Sequence, residues 1–478
     1  MSRLRIDVEA IFASHPFART ILSRLEAAGH EAVLIGGIVR DALRAQFDAD
    51  YEFEPLEVDI ATSASPQEVR ALSGDSLIIE VGAAFGVLVL VGPEGHAYEV
   101  ATFRTEGEYD GRRPGAVKLV RSLADDVHRR DLTINGLAAR SDGWVIDLVG
   151  GVSDLKRKLI RAIGDPAERF GEDYLRILRA IRCACLIDGE IVPEVAQAIR
   201  RHRTGLTLIS AERVAGELLR LLGTNQAARG VRLLDEYGIL PLILPELVAC
   251  QGVEQPGKYH PEGDVYQHTL LALEIADGYL ADPLVKLALL LHDLGKPEAL
   301  ERNRGVNMAG HDQIGAELAG QICRRLRLSK EASAQVVYLV REHQRIGHFS
   351  QMSRSKQVRL LRSGEERARP LGDFTARFPR FARLVQLMIA DCQASAMKSS
   401  GWLPVLAHTA RLLPHLQALE QLEGARRLID GHDFLKLGVP PGPELGRMLE
   451  QVREAILAGR IVSRRGALAA ARRLAGQR

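Results

Sequence analysis

The feature that most limits what this chain can fold into is a change of pattern near Pro166. Before it, short β-prone runs recur: A-V-L-I at Ala32, V-D-I-A at Val58, S-L-I-I-E-V at Ser76, G-V-L-V-L-V at Gly86, Y-E-V-A-T-F at Tyr98 and W-V-I-D-L-V-G-G around Trp144. Runs of this length read as strands. Beyond Pro166 they vanish, and apolar residues recur at helical spacing to the C-terminus, with turns at E-Q-P-G-K from Glu254 and V-P-P-G-P-E from Val439. An amphipathic helix is also expected over Ile11–Ala28, ending at Gly29, and a basic one over Arg460–Arg478. Strands segregated ahead of helices indicate an α+β protein, with a small mixed sheet in residues 1–165.

The remaining totals exclude more than they assign. The 478 residues suffice for about three domains, and 46% hydrophobic with 26% charged residues is ordinary for a soluble globular protein. Aromatic residues at 5% argue against wide stacking platforms for single-stranded nucleic acid. A net charge of +2 neither demands nor excludes a nucleic-acid partner, because local patches matter more than the sum. Five scattered cysteines without a C-x-x-C pair fit a reducing, cytoplasmic compartment. The N-terminal stretch lacks the apolar core of a signal peptide, and no apolar run is long enough to span a bilayer, so no membrane partner is expected.

Chemistry enters with L-I-G-G-I-V-R-D, Leu34 to Asp41, where a strand ends in two glycines. Gly36 and Gly37 would let a phosphate approach the backbone, with Arg40 one helical turn on; alone, this is also an ordinary glycine turn. In L-E-V-D-I-A-T-S, Glu57 and Asp59 stand two apart and so share one face of a strand. They are either solvated acids on an exposed edge or a divalent-metal clamp. H-R-R-D-L-T-I-N-G-L follows from His128. In the stretch Gly164 to Arg182, Glu172, Asp173, Arg176, Arg179 and Arg182 follow a helical spacing. That row is either a salt-bridged surface or a set that hydrogen-bonds a base edge and a triphosphate.

Taken together, G-G-I-V-R-D, E-V-D-I-A-T, R-R-D-L-T-I-N and E-D-Y-L-R-I-L-R-A-I-R closely resemble the class II tRNA nucleotidyltransferase and bacterial poly(A) polymerase family. Tyr98–Pro114 is similar to that family's region before the R-R-D motif, and Ile429–Leu449 to its C-terminal tail. The resemblance implies a nucleotidyltransferase that adds C, C and A to tRNA 3′ ends from CTP and ATP without a nucleic-acid template. It implies that Gly36, Gly37 and Arg40 contact the nucleotide and that Glu57 and Asp59 hold Mg2+. Arg130 would meet phosphate or sugar. Asp173 and Arg176 would read the Watson–Crick edge, with Arg179 and Arg182 on the triphosphate side. CC-adding, A-adding and poly(A)-adding enzymes share these motifs. The family usually carries aspartate where this chain has Glu57, and the extra methylene displaces the carboxylate.

A second group lies further on. L-A-L-L-L-H-D-L-G-K-P-E puts His292 and Asp293 on an apolar helix, and His268, His311, His343 and Asp391 flank them in sequence. A lone His-Asp pair is more often a satisfied hydrogen bond, but imidazoles and carboxylates in this number suit a divalent metal. The order H…HD…H…H…D resembles the HD superfamily of metal-dependent phosphohydrolases. The resemblance places His268, His292, Asp293 and Asp391 on one metal of unknown identity, His311 and His343 on a second, and Lys296 on a phosphate. Hydrolysis of a phosphoester, such as a 2′,3′-cyclic phosphate on a damaged RNA end, is the reaction implied. An HD phosphohydrolase acting on RNA ends, with a non-catalytic head, is the alternative of a different class. The expected layout is a nucleotidyltransferase head (1–165), a helical neck (166–255), an HD body (256–400) and a helical, tRNA-binding tail (401–478).

Overall fold

The computed structural model describes residues 4–74, 76–82, 85–107, 117–255, 262–279, 282–361, 378–395, 400–425 and 428–476. Of the family-like segment Tyr98–Pro114, the part after Gly107 lies outside them, as does E-Q-P-G-K after Gln255. Two compact units result: Met1–Pro245 with Arg325–Arg327, and Glu246–Arg324 with Leu328–Arg478. No helix among the described residues is long and apolar enough to cross a membrane.

The first unit is built on a mixed sheet. Its strands are β1 (Ala32–Ile35), β2 (Asp59–Thr62), β3 (Leu77–Gly82), β4 (Val87–Val91) and β5 (Ala97–Thr102). After a separate ribbon of β6 (Arg104–Glu106) and β7 (Val117–Leu119) come β8 (Ala138–Ala139) and β9 (Val145–Ile146). The spatial order is β3-β4-β5-β2-β1-β8-β9. Only β2 and β5 pair in parallel, which requires a crossover; the helix Pro66–Leu72 and the β3–β4 hairpin supply it. All four residues of β1 are buried, while β4 and β5 alternate between buried and more exposed positions. Val33, Ile35, Ala61, Phe103, Leu123, Val127 and Ala138 form one apolar cluster.

Local chemistry shifts two expected boundaries. The single helix expected over Ile11–Ala28 is two, Val8–Ser14 and Pro16–Ala27. Pro16 has no N–H to donate and disfavours helical geometry at the residue before it, so the chain breaks at His15 (φ −129°, ψ 66°). Of the run around Trp144, only Val145–Ile146 pairs as a strand; Asp147 turns the chain instead by accepting from the backbone N–H groups of Val149, Gly151 and Val152. Past Pro166 the expected helices form, beginning with Pro166–Glu172, Leu175–Leu186, Pro193–His202 and Ala211–Leu222. Among the described residues the small exception is Glu190–Ile191, which pairs in parallel with Leu159–Ile160.

In the second unit the helix Pro283–Leu291 is apolar on every side but for the buried Lys286, whose Nζ pairs with Asp277 Oδ1 at 2.7 Å, as suits a helix that other helices surround. Val265–Asp277, Lys330–Gly347 and Pro379–Ala394 pack against it. The tail has its own core, in which Phe434, Val452, Ile456, Ala467 and Ala471 are buried. The basic C-terminal helix spans Arg464–Gly476, and its Arg464 pairs with Asp433 at 2.8 Å.

The strand β2 carries Asp59 and is anchored by Ile60, which is fully buried. Ile60→Ala is expected to destabilise the first unit by about 2–5 kcal/mol. Calorimetry checks this as a lowered Tm; a loss below about 1 kcal/mol would show that the site collapses around the missing atoms.

Candidate active site and metal centre

Ten of the residues singled out in the first half of the chain line one cavity of about 540 Å³ in the first unit: Gly36, Gly37, Arg40, Glu57, Asp59, Arg130, Asp173, Arg176, Arg179 and Arg182, while Glu172 of the same row does not. One wall is the turn after β1. Gly36 has φ +80°, which favours glycine, and it opens the helix Gly37–Phe47, whose N-terminus suits an anion. Arg40 is nearly buried and already engaged. It donates to both carboxylate oxygens of Asp41, at 2.9 and 2.8 Å, and to Asn135 Oδ1 at 2.7 Å. It therefore ties the glycine turn to the R-R-D-L-T-I-N segment.

The acids stand beside this turn, with Asp59 Oδ2 4.0 Å from where a Cβ on Gly36 would lie. Asp59 is the first residue of β2, while Glu57 lies in the extended segment just before it, with buried Val58 between them. Opposite Asp59, in the parallel register with β5, stands Glu99, which also lines the cavity. Three carboxylates thus line the same cavity. Lost hydration and then Glu99 push the Asp59 carboxyl up to about 6; Glu57 adds to the effect and Arg130 opposes it. A divalent cation relieves this repulsion, so the donors fit hard-cation coordination by oxygen.

The cations are held by acids buried behind them. Asp126 forks between two of them: Oδ1 accepts from Arg129 Nη2 at 2.6 Å and Oδ2 from Arg130 Nη2 at 2.9 Å. Burial pushes Asp126 up, but Arg130 and Arg129 more than offset this, and its carboxyl stays below the usual range. Asp131 accepts from Arg179 Nε at 2.6 Å and from Asn135 Nδ2 at 3.2 Å. Glu217 takes Arg182 at 2.7 Å and Arg220 at 3.0 Å.

The expected continuous helical row is interrupted at Asp173. The chain leaves the helix Pro166–Glu172 there (φ −143°, ψ 106°) and re-enters at Leu175. The reason is local: Asp173 Oδ1 accepts from the Leu175 N–H at 3.0 Å, an alternative to continuing the helix. Its Oδ2 accepts from Arg213 Nη2 at 2.6 Å. Arg176 donates to Glu172 Oε2 at 2.6 Å and to the Arg129 carbonyl at 3.1 Å. The motifs did not mark Glu99, Asp126, Arg213 or Glu217. Glu99 could have been found as the one acid on the alternate face of Y-E-V-A, and Arg213 and Glu217 as an i, i+4 pair in E-R-V-A-G-E.

The second unit brings the other group together. His292 and Asp293 follow the end of the apolar helix, His268 lies on Val265–Asp277, His311 opens His311–Arg325, His343 lies on Lys330–Gly347, and Asp391 on Pro379–Ala394. The ligand atoms fall into two triplets: His268, His292 and Asp391, then Asp293, His311 and His343. The split differs from the expected one because Asp293 faces both ways. Its Oδ1 is 3.3 Å from His311 Nε2, and its Oδ2 is 3.2 Å from His292 Nε2.

Each imidazole is oriented from outside. Nδ1 of His292, His311 and His343 donates to the carbonyls of Leu289, Met308 and Val340 at 2.6, 2.8 and 2.6 Å, and His268 Nδ1 meets Glu262 Oε1 at 2.7 Å. All four Nε2 atoms therefore point inward, as metal-ligating imidazoles do. His343 is pushed down to about 4 by burial and by His292, so it is neutral, the form that ligates metal. The donors fit a divalent metal. The glycine of H-D-L-G-K is a packing requirement: a Cβ on Gly295 would lie 2.2 Å from the His311 carbonyl. Lys296 Nζ sits 2.5 Å from Asp293 Oδ2 and donates to Gln255 Oε1 at 2.5 Å.

A mixed-sheet head, a glycine turn, clustered strand acids and a wall of arginines define a nucleotidyltransferase. Residues 32–161 match the sequence profile described as the poly A polymerase head domain, 190–250 that of the probable RNA and SrmB-binding site of polymerase A, and 265–371 the HD domain. The CCA-adding enzyme of Levilactobacillus brevis is 32% identical over 469 residues, covering 98% of this chain and 99% of that one. The chain belongs to the CCA-adding enzyme family. The A-adding tRNA nucleotidyltransferase of Deinococcus radiodurans is likewise 32% identical, over 90% of this chain and 92% of its own. A crystal structure of the Bacillus stearothermophilus CCA-adding enzyme in complex with CTP superposes with a TM-score of 0.66 at 26% identity, covering 93% of this chain and 92% of that one.

The raised Asp59 pKa gives a pH signature. The folded chain keeps a proton that the unfolded chain releases from about pH 4, so stability falls as pH rises from there through about 6. In chelator, Tm across that window is expected to fall less in Glu99→Gln than in the parent. An equal fall in both would show that Glu99 does not act on Asp59.

Proposed function

We propose that the head adds CMP, CMP and AMP, from CTP and ATP, to the 3′-hydroxyl of tRNA in the cytoplasm. The observation that carries this is the convergence in one cavity of the Gly36–Gly37 turn, the acids at 57 and 59, and the Asp173–Arg176 pair. Glu57 and Asp59, with Glu99 beside them, would hold Mg2+. That ion supplies positive charge against the leaving pyrophosphate and makes the attacking hydroxyl more acidic. The chain's own groups do the rest. The helix N-terminus at Gly37 receives phosphate oxygens, and Arg130, fixed by Asp126, adds positive charge beside them. Asp173 accepts from the exocyclic amine that cytosine and adenine share, and Arg176 donates to the acceptors beside it. Uracil and guanine present the opposite pattern and leave the carboxylate without a donor. The head is taken as residues 1–165 and the neck as 166–255, with the tail 401–478 binding tRNA.

The test is incorporation of labelled CTP and ATP into three tRNAs, ending at the discriminator base, at C-C and at C-C-A. Addition to the first two is expected to stop at C-C-A. Glu57→Ala is expected to slow it by on the order of a hundredfold or more. Addition of A to C-C ends alone would assign the chain the activity named for its Deinococcus relative, and no addition at all would refute the reading.

The inward-facing imidazoles favour a second activity, hydrolysis of a phosphoester in the HD body (256–400). His268, His292 and Asp391 would hold one divalent metal and Asp293, His311 and His343 another, with Lys296 placed to meet a phosphate. The metals supply Lewis acidity when bound. RNA carrying a 2′,3′-cyclic phosphate is expected to lose that end group with the parent protein, and not with His292→Ala or after chelation. End-group analysis showing unchanged clearance in both would exclude the site.

A further inference from the structure

Asp173 is fixed by more than its hydrogen bonds. The next residue, Tyr174, has its ring laid flat on the turn Arg203–Leu208, over Gly205. A Cβ built on Gly205 would lie 2.3 to 2.5 Å from Tyr174 Cδ1, Cε1 and Cγ, so the ring contacts bare backbone where any side chain would stand. These atoms are the body of a rigid ring, and no flexible tip can swing away. Gly205 does not have a positive φ, so backbone conformation does not demand a glycine here; the close approach does. On a further side stands His202, with ring centroids 6.2 Å apart. Tyr174 is thus clamped between the end of the helix Pro193–His202 and the turn that follows it.

The backbone at this point is also held locally: the Asp173 carbonyl accepts from the Arg176 N–H at 3.0 Å, and its carboxylate from the Leu175 N–H and from Arg213. The chain is outside both helices at Asp173, and Tyr174 is the first residue to recover helical dihedrals (φ −60°, ψ −20°). One peptide bond links the ring's anchor to the carboxylate. We propose that Gly205 is a positioning residue: by admitting the Tyr174 ring onto the turn, it sets where Asp173 meets the Watson–Crick edge of the incoming nucleoside triphosphate. A cytosine or adenine amine needs the carboxylate within hydrogen-bond reach, and a displacement of half an ångström is enough to weaken that bond. The inference rests on Asp173 reading the base, and the tests separate the two.

Two variants act on the clamp from opposite sides. Gly205→Ala pushes the ring off the turn, and Tyr174→Leu leaves the turn intact but removes the ring; Tyr174→Phe keeps the ring. The readout is the ratio of kcat/KM for CTP over UTP on tRNA ending at the discriminator base, and for ATP over GTP on tRNA ending in C-C. Gly205→Ala and Tyr174→Leu are expected to lower both ratios by about tenfold or more, a modest part of what a hydrogen-bonding site can achieve. Tyr174→Phe is expected to retain them. A merely structural role would lower Tm and slow every nucleotide alike, leaving the ratios unmoved; that result overturns the proposal. If Gly205→Ala does not fold, Tyr174→Leu decides in the same way. Asp173→Ala distinguishes the levels. Ratios kept in Asp173→Ala refute base reading by Asp173, and the proposal with it. Ratios lost there but kept in Gly205→Ala and Tyr174→Leu refute the proposal alone.

Discussion

Repulsion among carboxylates organises the first unit. The parallel pairing of β2 with β5 sets Asp59 against Glu99, and the extended approach to β2 adds Glu57. Such a cluster persists only where the fold compels it and a cation rewards it. The arginines facing it are equally constrained. Arg129 and Arg130 share Asp126, Arg179 leans on Asp131, and Arg182 with Arg220 flanks Glu217. Where the pair is buried, as with Arg182 and Glu217, removing one partner typically costs about 3–5 kcal/mol, whereas the largely exposed Arg220 contributes little. The cavity is therefore an electrostatic frame in which carboxylates and arginines are interleaved.

Much of this was legible in the order of residues. Strand runs before Pro166 and helical spacing after it separate the sheet from the helices, because a strand shows its buried face every second residue and a helix every third or fourth. Glycines after β1, acids two apart, and the R-R-D and E-D-Y-L-R segments all mark cavity walls. The misses share one cause: they depend on which elements lie side by side. Glu99 acts through a parallel pairing reached by a crossover, and Arg213 through a helix 40 residues beyond the carboxylate it holds. Pro16 and Asp173 are misses of another kind, in which a single residue's local bonding outweighs a good apolar period.

The HD group shows the same division. Its six side chains were visible as types and spacing, and all six converge. The partition between the two triplets was not visible, because Asp293 has two oxygens and the backbone decides which imidazole each one meets. Gly295 carries the clearest three-dimensional information in that motif. It lets the turn after Asp293 touch the start of the helix that opens with His311, so two candidate ligands are brought together by a missing side chain.

The break at Asp173 has a consequence for modularity. Asp59 and Glu99 belong to the sheet and the glycine turn follows its strand β1, but Asp173 lies past the sheet's end, braced by Arg213 and by the turn under Tyr174. On the proposed reading, in which Glu57 and Asp59 hold the metal and Asp173 reads the base, reactivity and choice of nucleotide reside in different stretches of the chain. A chimaera that exchanged only the sheet between two relatives would transplant the reaction and leave the recipient's selectivity behind. Divergence among such enzymes can then proceed in the helices while the sheet stays the same.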